Sequence, residues 1–114
     1  MNAIMISPGG SLRVIREDTD DLLGFCYRNI GCDCIEIVRP AELPDPYVMI
    51  VDENGRLMDL PVNPVASILY GTARHGETIV GTALIMKEEM TDDGPDIVSL
   101  DDADLRSLTG GDLR

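Results

Sequence analysis

Apolar residues in this chain occur in short runs separated by Gly, Pro and charged residues, a pattern typical of strands joined by tight turns. The first run, residues 3–6, ends in Ser-Pro-Gly-Gly, and a second run follows at residues 12–16. We predict two strands here, with a hairpin as one arrangement. Residues 34–39 form a third predicted strand. Pro40 ends it, because proline has no backbone N–H to donate to a sheet.

The strongest strand signal is Tyr47–Asp52, which is nearly continuous in apolar residues and suits a central strand covered on both faces. Asn54-Gly55 follows at once. This dipeptide accepts positive φ at both positions, so it predicts a hairpin whose return strand is residues 56–60. The last predicted strand is residues 78–86, and Gly81 within it indicates a bulge or a close backbone approach.

Helical periodicity is strongest over residues 20–30, which we predict as the main helix. Thr19 is its predicted N-cap, Asp20 and Asp21 favour the positive end of the helix dipole, and Gly31 ends the helix. The predicted buried face repeats at helical spacing and consists of Leu22, Leu23, Cys26, Tyr27 and Ile30.

A second, short helix is predicted over residues 64–70, because Asn63 can cap it and Pro64 suits its first position. The acid-rich residues 88–95 are predicted to be a linker. After the linker, residues 99–102 resemble a capping box that ends in Asp instead of Glu. We expect a marginal C-terminal helix there, with one apolar side made of Leu100, Ala103, Leu105 and Leu108.

These elements predict an α+β fold with a small, mostly antiparallel or mixed sheet of five to six strands. The main helix (about residues 20–30) is expected on one face of the sheet, accompanied by the short helix (about 64–70) and the marginal C-terminal helix. The predicted organisation is an α+β core domain over residues 1–87, followed by an acidic linker and short helix over residues 88–114.

The charge of the chain excludes some partners. Its 114 residues include 21 acidic and 9 basic side chains, for a formal net charge of −12. Such a surface repels phosphate, so neither nucleic acid nor an anionic membrane is an expected partner. No apolar run is long enough to span a bilayer, and the N-terminus lacks the basic and apolar regions of a signal peptide, so we expect a cytoplasmic protein. Nine of the acidic residues lie between Glu88 and Asp112, and a smaller cluster at residues 17–21 is attributed largely to the helix start.

The chain offers little metal or thiol chemistry. Its three cysteines are Cys26, Cys32 and Cys34, an odd number that argues against a disulfide framework. The only histidine is His75, in a predicted polar loop over residues 72–77. Since a zinc site usually needs four Cys, His or carboxylate ligands, we expect no metal and no cofactor.

Several short motifs lie in or between the predicted elements. They are Pro8-Gly9, Ile30-Gly31, Ile35-Glu36, Asp52-Glu53-Asn54-Gly55, Leu60-Pro61-Val62-Asn63 and Ile79-Val80-Gly81-Thr82-Ala83-Leu84. Together these motifs resemble a small domain-of-unknown-function family that is common in phages, prophages and mobile elements of bacteria. The resemblance covers about residues 3–86 and places the acidic tail outside the pattern. It implies a genomic setting and no chemistry.

No residue is predicted to be catalytic. Asp52 and Glu53 form a paired-carboxylate candidate with Asn63 as an orienting donor, although a hairpin shoulder and an N-cap explain the same residues without a substrate. Arg56 and Arg74 complete the weak ligand-binding candidates. For an anionic ligand the available guanidinium groups are Arg13, Arg39, Arg56 and Arg74.

The leading hypothesis is a non-catalytic accessory protein of a phage or mobile element that binds and modulates or inhibits a host protein. A protein of this kind should expose an apolar patch on a rigid face. One alternative is a protein that sequesters a small, nucleotide-like ligand, which would need a deep pocket with convergent arginines. Another is an acidic DNA mimic with rows of carboxylates. A homodimer also stays open as an arrangement, because so small a core gains from pairing.

Overall fold

The computed structural model describes residues 1–110. Its strands are β1 (Asn2–Ile6), β2 (Leu12–Arg16), β3 (Ile35–Val38), β4 (Tyr47–Asp52), β5 (Ala83–Thr91) and β6 (Gly94–Val98). Its helices are α1 (Leu22–Ile30), α2 (Pro64–Tyr70), α3 (Thr72–His75) and α4 (Asp102–Thr109). The strands form one six-stranded sheet in the order β2-β1-β5-β4-β3, with β6 beside β5. Every pairing between these strands is antiparallel, so the predicted α+β class is confirmed in its antiparallel form.

The sheet is organised around β5. On one side β5 pairs with β4; on the other side its first half pairs with β1 and its second half with β6. Asn2 joins β1 to the chain that leaves β6: its backbone N–H donates to Ser99 Oγ at 2.7 Å, and its Nδ2 donates to the Leu100 carbonyl at 3.0 Å. These hydrogen bonds therefore hold the N-terminal strand directly against the segment that leads to the C-terminal helix.

The prediction of a linker over residues 88–95 is wrong. Glu88 to Thr91 continue β5, and Gly94 begins β6. The predicted boundary between residues 87 and 88 therefore falls inside a strand. The strand predicted over residues 78–86 is also displaced, because β5 begins later, at Ala83, and ends later, at Thr91. Charge density misled the prediction, because a hairpin that projects into water can carry charged side chains without ceasing to be a strand.

Helices cover both faces of the sheet, although a helix on one face was predicted. Side chains of a strand point alternately to the two faces. Accordingly Met49 of β4 packs in the core that α2 and α4 cover, and its neighbour Ile50 packs in the core that α1 covers. All six residues of β4 are buried, which confirms the predicted central strand.

Helix α1 follows the predicted segment with a different start and a different buried face. Its N-cap is Asp21 instead of Thr19, and Gly31 ends it with φ of 81°. Phe25, absent from the predicted face, is fully buried, whereas Leu23 is 50% exposed. Burial of a Phe side chain stabilises a fold by roughly 3 kcal/mol, so Phe25 is a main anchor of this helix.

The acidic cluster at residues 17–21 is only partly explained by capping. Asp21 caps α1, but Glu17 accepts hydrogen bonds from Arg28 and Asn29 on the helix. The hydrogen bond from Arg28 holds the pKa of Glu17 below its ordinary value.

Helix α2 begins as predicted, with Asn63 as N-cap and Pro64 at its first position. The predicted polar loop over residues 72–77 contains the short helix α3 instead. The C-terminal helix is present, but its capping box is formed by Asp101 and Asp104, two residues later than predicted.

Asn54-Gly55 does not start a hairpin. Residues 53–59 form successive turns, and β4 pairs with the distant strand β5 instead of a return strand at residues 56–60. Among the non-glycine residues described, Asp59 has a positive φ, 54°. Gly81 lies before β5 and not inside a strand, and its φ is 75°. Its N–H donates to the Pro61 carbonyl at 2.8 Å, and a Cβ at this position would lie 2.9 Å from Leu60 Cδ1.

None of the helices among residues 1–110 has the length and apolar character needed to span a lipid bilayer.

Candidate functional site

A cleft of about 110 Å³ opens at the β3 edge of the sheet, on the face that carries α2. Its floor is the ends of β3 and β4, and its far wall is the chain just before β5, where Thr78 and Ile79 lie. The titratable side chains among its lining residues are Glu36, Asp52, Glu53, Arg56, Tyr70 and Glu77. The cleft therefore combines four acidic residues with a single arginine.

Three of the five predicted ligand-binding candidates meet at this cleft: Asp52, Glu53 and Arg56. Asp52 is 7% exposed, and its Oδ1 accepts the backbone N–H of Asn54 at 2.9 Å, so it shapes the turn that leaves β4. Arg56 donates to the Thr78 carbonyl and lies 3.9 Å from a carboxylate oxygen of Glu77. Its guanidinium is thus engaged by the wall of the cleft.

Asn63 is not at the cleft, and its side chain has a structural role. It is fully buried, and its Nδ2 donates to the carbonyls of Ile6 and Gly81, both at 2.9 Å. Its Oδ1 accepts the backbone N–H of Ala66 at 3.1 Å. Both donors are used inside the protein, so Asn63 joins β1, the segment before β5 and the start of α2.

Arg74 is also apart from the cleft. It is exposed on α3, where it lines a wide, open depression of about 410 Å³ together with Ile68 and Glu42. The arginines expected to hold an anion do not converge in the structure. Arg56 is at the first cleft, Arg74 is at this second depression, and Arg39 forms an ion pair with Glu88 at 2.9 Å.

His75 lies at the end of α3 and is exposed, with its ring stacked on Tyr70 at 4.5 Å between centroids. It is not among the residues that line the cleft.

The three cysteines are free thiols, and Cys26 is buried against the sheet. Burial, with a smaller contribution from Cys32, raises the pKa of Cys26 to about 11, which keeps this thiol in its unreactive protonated form at neutral pH. Within residues 1–110 no group of three His, Cys, Asp or Glu side chains has a geometry that could hold a metal ion.

Much of the acidic tail is engaged within the molecule. Lys87 lies 2.7 Å from Asp104 and 3.4 Å from Asp101, and Asp102 lies 3.5 Å from Arg16. The Tyr47 hydroxyl donates to Asp104 at 3.0 Å. Burial raises the pKa of Asp104, but hydrogen bonds from Lys87, the Asp101 backbone and Tyr47 outweigh it and hold that pKa below its ordinary value. These carboxylates dock α4 on the sheet.

The feature that the sequence prediction missed is the chain between β4 and α2, residues 56–62, which we call the apolar loop. Leu57 is 87% exposed, Met58 is 61% exposed and Val62 is 52% exposed. Leu57 and Met58 were assigned to a return strand over residues 56–60, so their side chains were expected on a sheet, and Val62 was placed beyond the end of that strand. The available signal was the density of apolar residues in a segment that begins with a turn dipeptide and ends at a proline.

Hydrogen bonds within the turns and to the chain before β5 fix the backbone of the apolar loop. The Asn54 carbonyl accepts the N–H of Met58 at 3.0 Å, and the Gly55 carbonyl accepts the N–H of Leu60 at 3.0 Å. The Pro61 carbonyl accepts the N–H of Gly81 at 2.8 Å. Leu60 points inward against Gly55 and Gly81, where no Cβ would fit without displacing a side chain.

Comparison with known proteins identifies a family for this architecture. The model of the domain of unknown function DUF3846 matches residues 1–110. The chain belongs to the DUF3846 family. The match extends through β6 and α4, so the expectation that the tail lies outside the family pattern is wrong. No curated protein and no solved structure matches the chain.

Proposed function

We propose that this DUF3846 protein is a non-catalytic accessory protein that binds another protein through the apolar loop. The observation that carries the proposal is the exposure of three large apolar side chains, Leu57, Met58 and Val62, within seven residues of chain. Single exposed apolar residues are ordinary, but a concentration of them on a fixed surface is typical of a protein-binding site. In the phage or mobile-element setting that the sequence resemblance implies, the partner is a host protein in the cytoplasm, and binding modulates or inhibits it.

The rigidity of the apolar loop supports this proposal. Binding costs free energy when a loop must be ordered at the interface. Here the hydrogen bonds of Met58 and Leu60 and the inward side chain of Leu60 already fix the backbone. Complete burial of a Leu or Met side chain is worth about 1.5–3 kcal/mol, so Leu57 and Met58 together could anchor a specific complex.

The geometry gives less support to the two alternatives. A nucleotide-like ligand carries phosphate, yet the cleft presents four acidic residues and one arginine that is already paired with Glu77. For a DNA mimic, the carboxylates should be free to face a basic partner, but Glu88, Asp101, Asp102 and Asp104 form ion pairs within the chain.

The test is affinity capture from a lysate of the cell that carries the gene, with three forms of the tagged protein. The first is the wild type, and the second is Leu57→Asp/Met58→Asp. The third, a matched control, is Leu23→Asp/Met90→Asp, which adds the same charge at side chains that are 50% and 76% exposed. Circular dichroism should show that all three are folded.

We expect a stoichiometric partner that is captured by the wild type and the control and is reduced at least about 10-fold with Leu57→Asp/Met58→Asp, which corresponds to a loss of about 1.4 kcal/mol. Undiminished capture by Leu57→Asp/Met58→Asp would contradict the proposal. So would the absence of any partner together with turnover of a metabolite by the purified protein. Capture of a second copy of the chain would identify a homodimer as the partner.

A further inference from the structure

The charges around the apolar loop indicate the chemistry of its partner. Glu53 and Asp59 are exposed at the first and last residues of the successive turns over 53–59, which run into the apolar loop, and Glu77 is exposed on the wall of the cleft beside Arg56. Arg56, the base within the loop, faces Glu77 and donates to the Thr78 carbonyl. The rim of the apolar surface is thus acidic, and its one cation is already engaged.

We propose that the partner presents an apolar groove or helix face flanked by Lys or Arg side chains. This inference rests on the proposed function, since it names the partner class for the same site. Leu57 and Met58 would enter the apolar part of that surface, and Glu53 and Asp59 would face its basic flanks. An acidic or neutral partner is rejected because it would bring like charges together, or leave the rim carboxylates desolvated without a counter-charge.

A second acidic surface of this chain provides a contrast. The end of the β5–β6 hairpin, residues 89–93, which we call the β5–β6 turn, carries Glu89, Asp92 and Asp93, and its only large exposed apolar side chain is Met90. A partner attracted by negative charge alone would bind both surfaces. A partner that combines charge with apolar contact would bind the apolar loop.

The inference can be tested without the natural partner, by NMR titration of the full-length, ¹⁵N-labelled protein with designed peptides of equal length. One peptide is an amphipathic helix with Leu on one face and Lys on the other. The second replaces each Lys with Glu, and the third replaces each Leu with Ser. We expect only the Leu/Lys peptide to shift the amide signals of Leu57, Met58 and Val62.

Two variants distinguish the effect of the acidic rim on peptide binding from the effect of the protein's overall charge. Glu53→Gln/Asp59→Asn neutralises the rim, and Asn suits position 59 because it tolerates the positive φ of 54° there. Glu89→Gln/Asp92→Asn removes the same charge from the β5–β6 turn and is the matched control. Each exposed ion pair contributes modestly, so we expect the rim variant to weaken binding of the Leu/Lys peptide roughly 5-fold at low salt and the control to leave it within about 2-fold.

Equal binding of the Leu/Lys and Leu/Glu peptides would overturn the inference, as would shifts confined to the β5–β6 turn or the absence of binding by the Leu/Lys peptide. These outcomes are distinguishable from failure of the proposed function. If Leu57→Asp/Met58→Asp loses a captured partner but the Leu/Lys peptide is not preferred, the inference of a basic partner is excluded. Protein binding by the apolar loop is then still supported.

Discussion

Replacing Asn63 with alanine tests whether this side chain holds the sheet to α2 or serves only as a helix cap. The cap oxygen accepts one backbone N–H, from Ala66, and loss of such a cap costs about 1 kcal/mol. The two hydrogen bonds from Nδ2 to the Ile6 and Gly81 carbonyls are buried, and each contributes about 1 kcal/mol. We therefore expect Asn63→Ala to lower the free energy of unfolding by about 3 kcal/mol.

The control is Asp21→Ala, because Asp21 is also an N-cap but is exposed and has one local bond, from the Gly24 N–H to its Oδ1 at 3.1 Å. We expect this variant to lose about 1 kcal/mol. The assay is equilibrium unfolding in urea followed by far-ultraviolet circular dichroism. The dependence of the free energy on urea concentration should be the same in both variants, because a changed slope would mean that the surface exposed on unfolding differs. Equal losses in the two variants would refute the reasoning, because Asn63 would then contribute as a cap alone.

Asn63→Asp extends the same test to pH. The aspartate keeps the capping oxygen but turns a carboxylate oxygen toward two buried carbonyls, which raises its pKa in the folded state above about 3.9. A group whose pKa is raised on folding costs stability as the pH rises above its unfolded value. We therefore expect Asn63→Asp to be less stable than Asn63→Ala at pH 7 and to recover toward pH 4, and a deficit that does not depend on pH would contradict the assigned geometry.

Three further predictions concern other parts of the fold. Gly81→Ala should lower the free energy of unfolding by about 1–3 kcal/mol more than Gly76→Ala does. Both positions have a positive φ, but only a Cβ at residue 81 would meet Leu60. Equal losses in urea unfolding would contradict the contact between residues 81 and 60. Asp104→Asn should lower the free energy of unfolding by about 2 kcal/mol at pH 7 and should make stability fall less steeply at acid pH. The reason is that the lowered pKa of Asp104 contributes stability that is present above about pH 3.9 and is lost as the pH falls through the folded-state pKa. Unfolding measured against pH with an unchanged loss of stability at acid pH would argue against this network. Cys26, which is buried and whose pKa is raised to about 11, should stay unmodified by iodoacetamide at pH 8 while the partly exposed Cys34 reacts, as peptide mass spectrometry would show. Early modification of Cys26 would mean that α1 opens readily.

The sequence predicted best those elements whose signals are local or whose burial is complete. Asn63 and Pro64 specify the start of α2 by themselves, and the apolar run Tyr47–Asp52 is buried on both faces as its composition indicates. In α1 the hydrophobic pattern was ambiguous, since Leu23 and Phe25 are both apolar but lie on different sides of the helix, and only contact with the sheet selects Phe25 for burial.

The errors arose where a distant part of the chain decides the local structure. Asn54-Gly55 favours a hairpin, but β4 pairs with β3 and with the distant strand β5, where Ile50 is opposite Leu84. At the candidate site, Asp52, Glu53 and Arg56 are close in sequence, so their proximity was predictable. The cleft also needs Tyr70 and Glu77, whose positions depend on how α2 and α3 return to the sheet.

The position of β5 also determines when this chain can fold during synthesis. The ribosome releases β1 first, but β1 pairs with β5 and bonds to Ser99 and Leu100, nearly one hundred residues later. Until those residues emerge, β2 is the only strand among residues 1–110 that can pair with β1, and an isolated hairpin is marginal in water. Folding is therefore expected to be a late event that closes the sheet once β5 and β6 are available, and a nascent chain halted before residue 83 should remain accessible to proteases and chaperones.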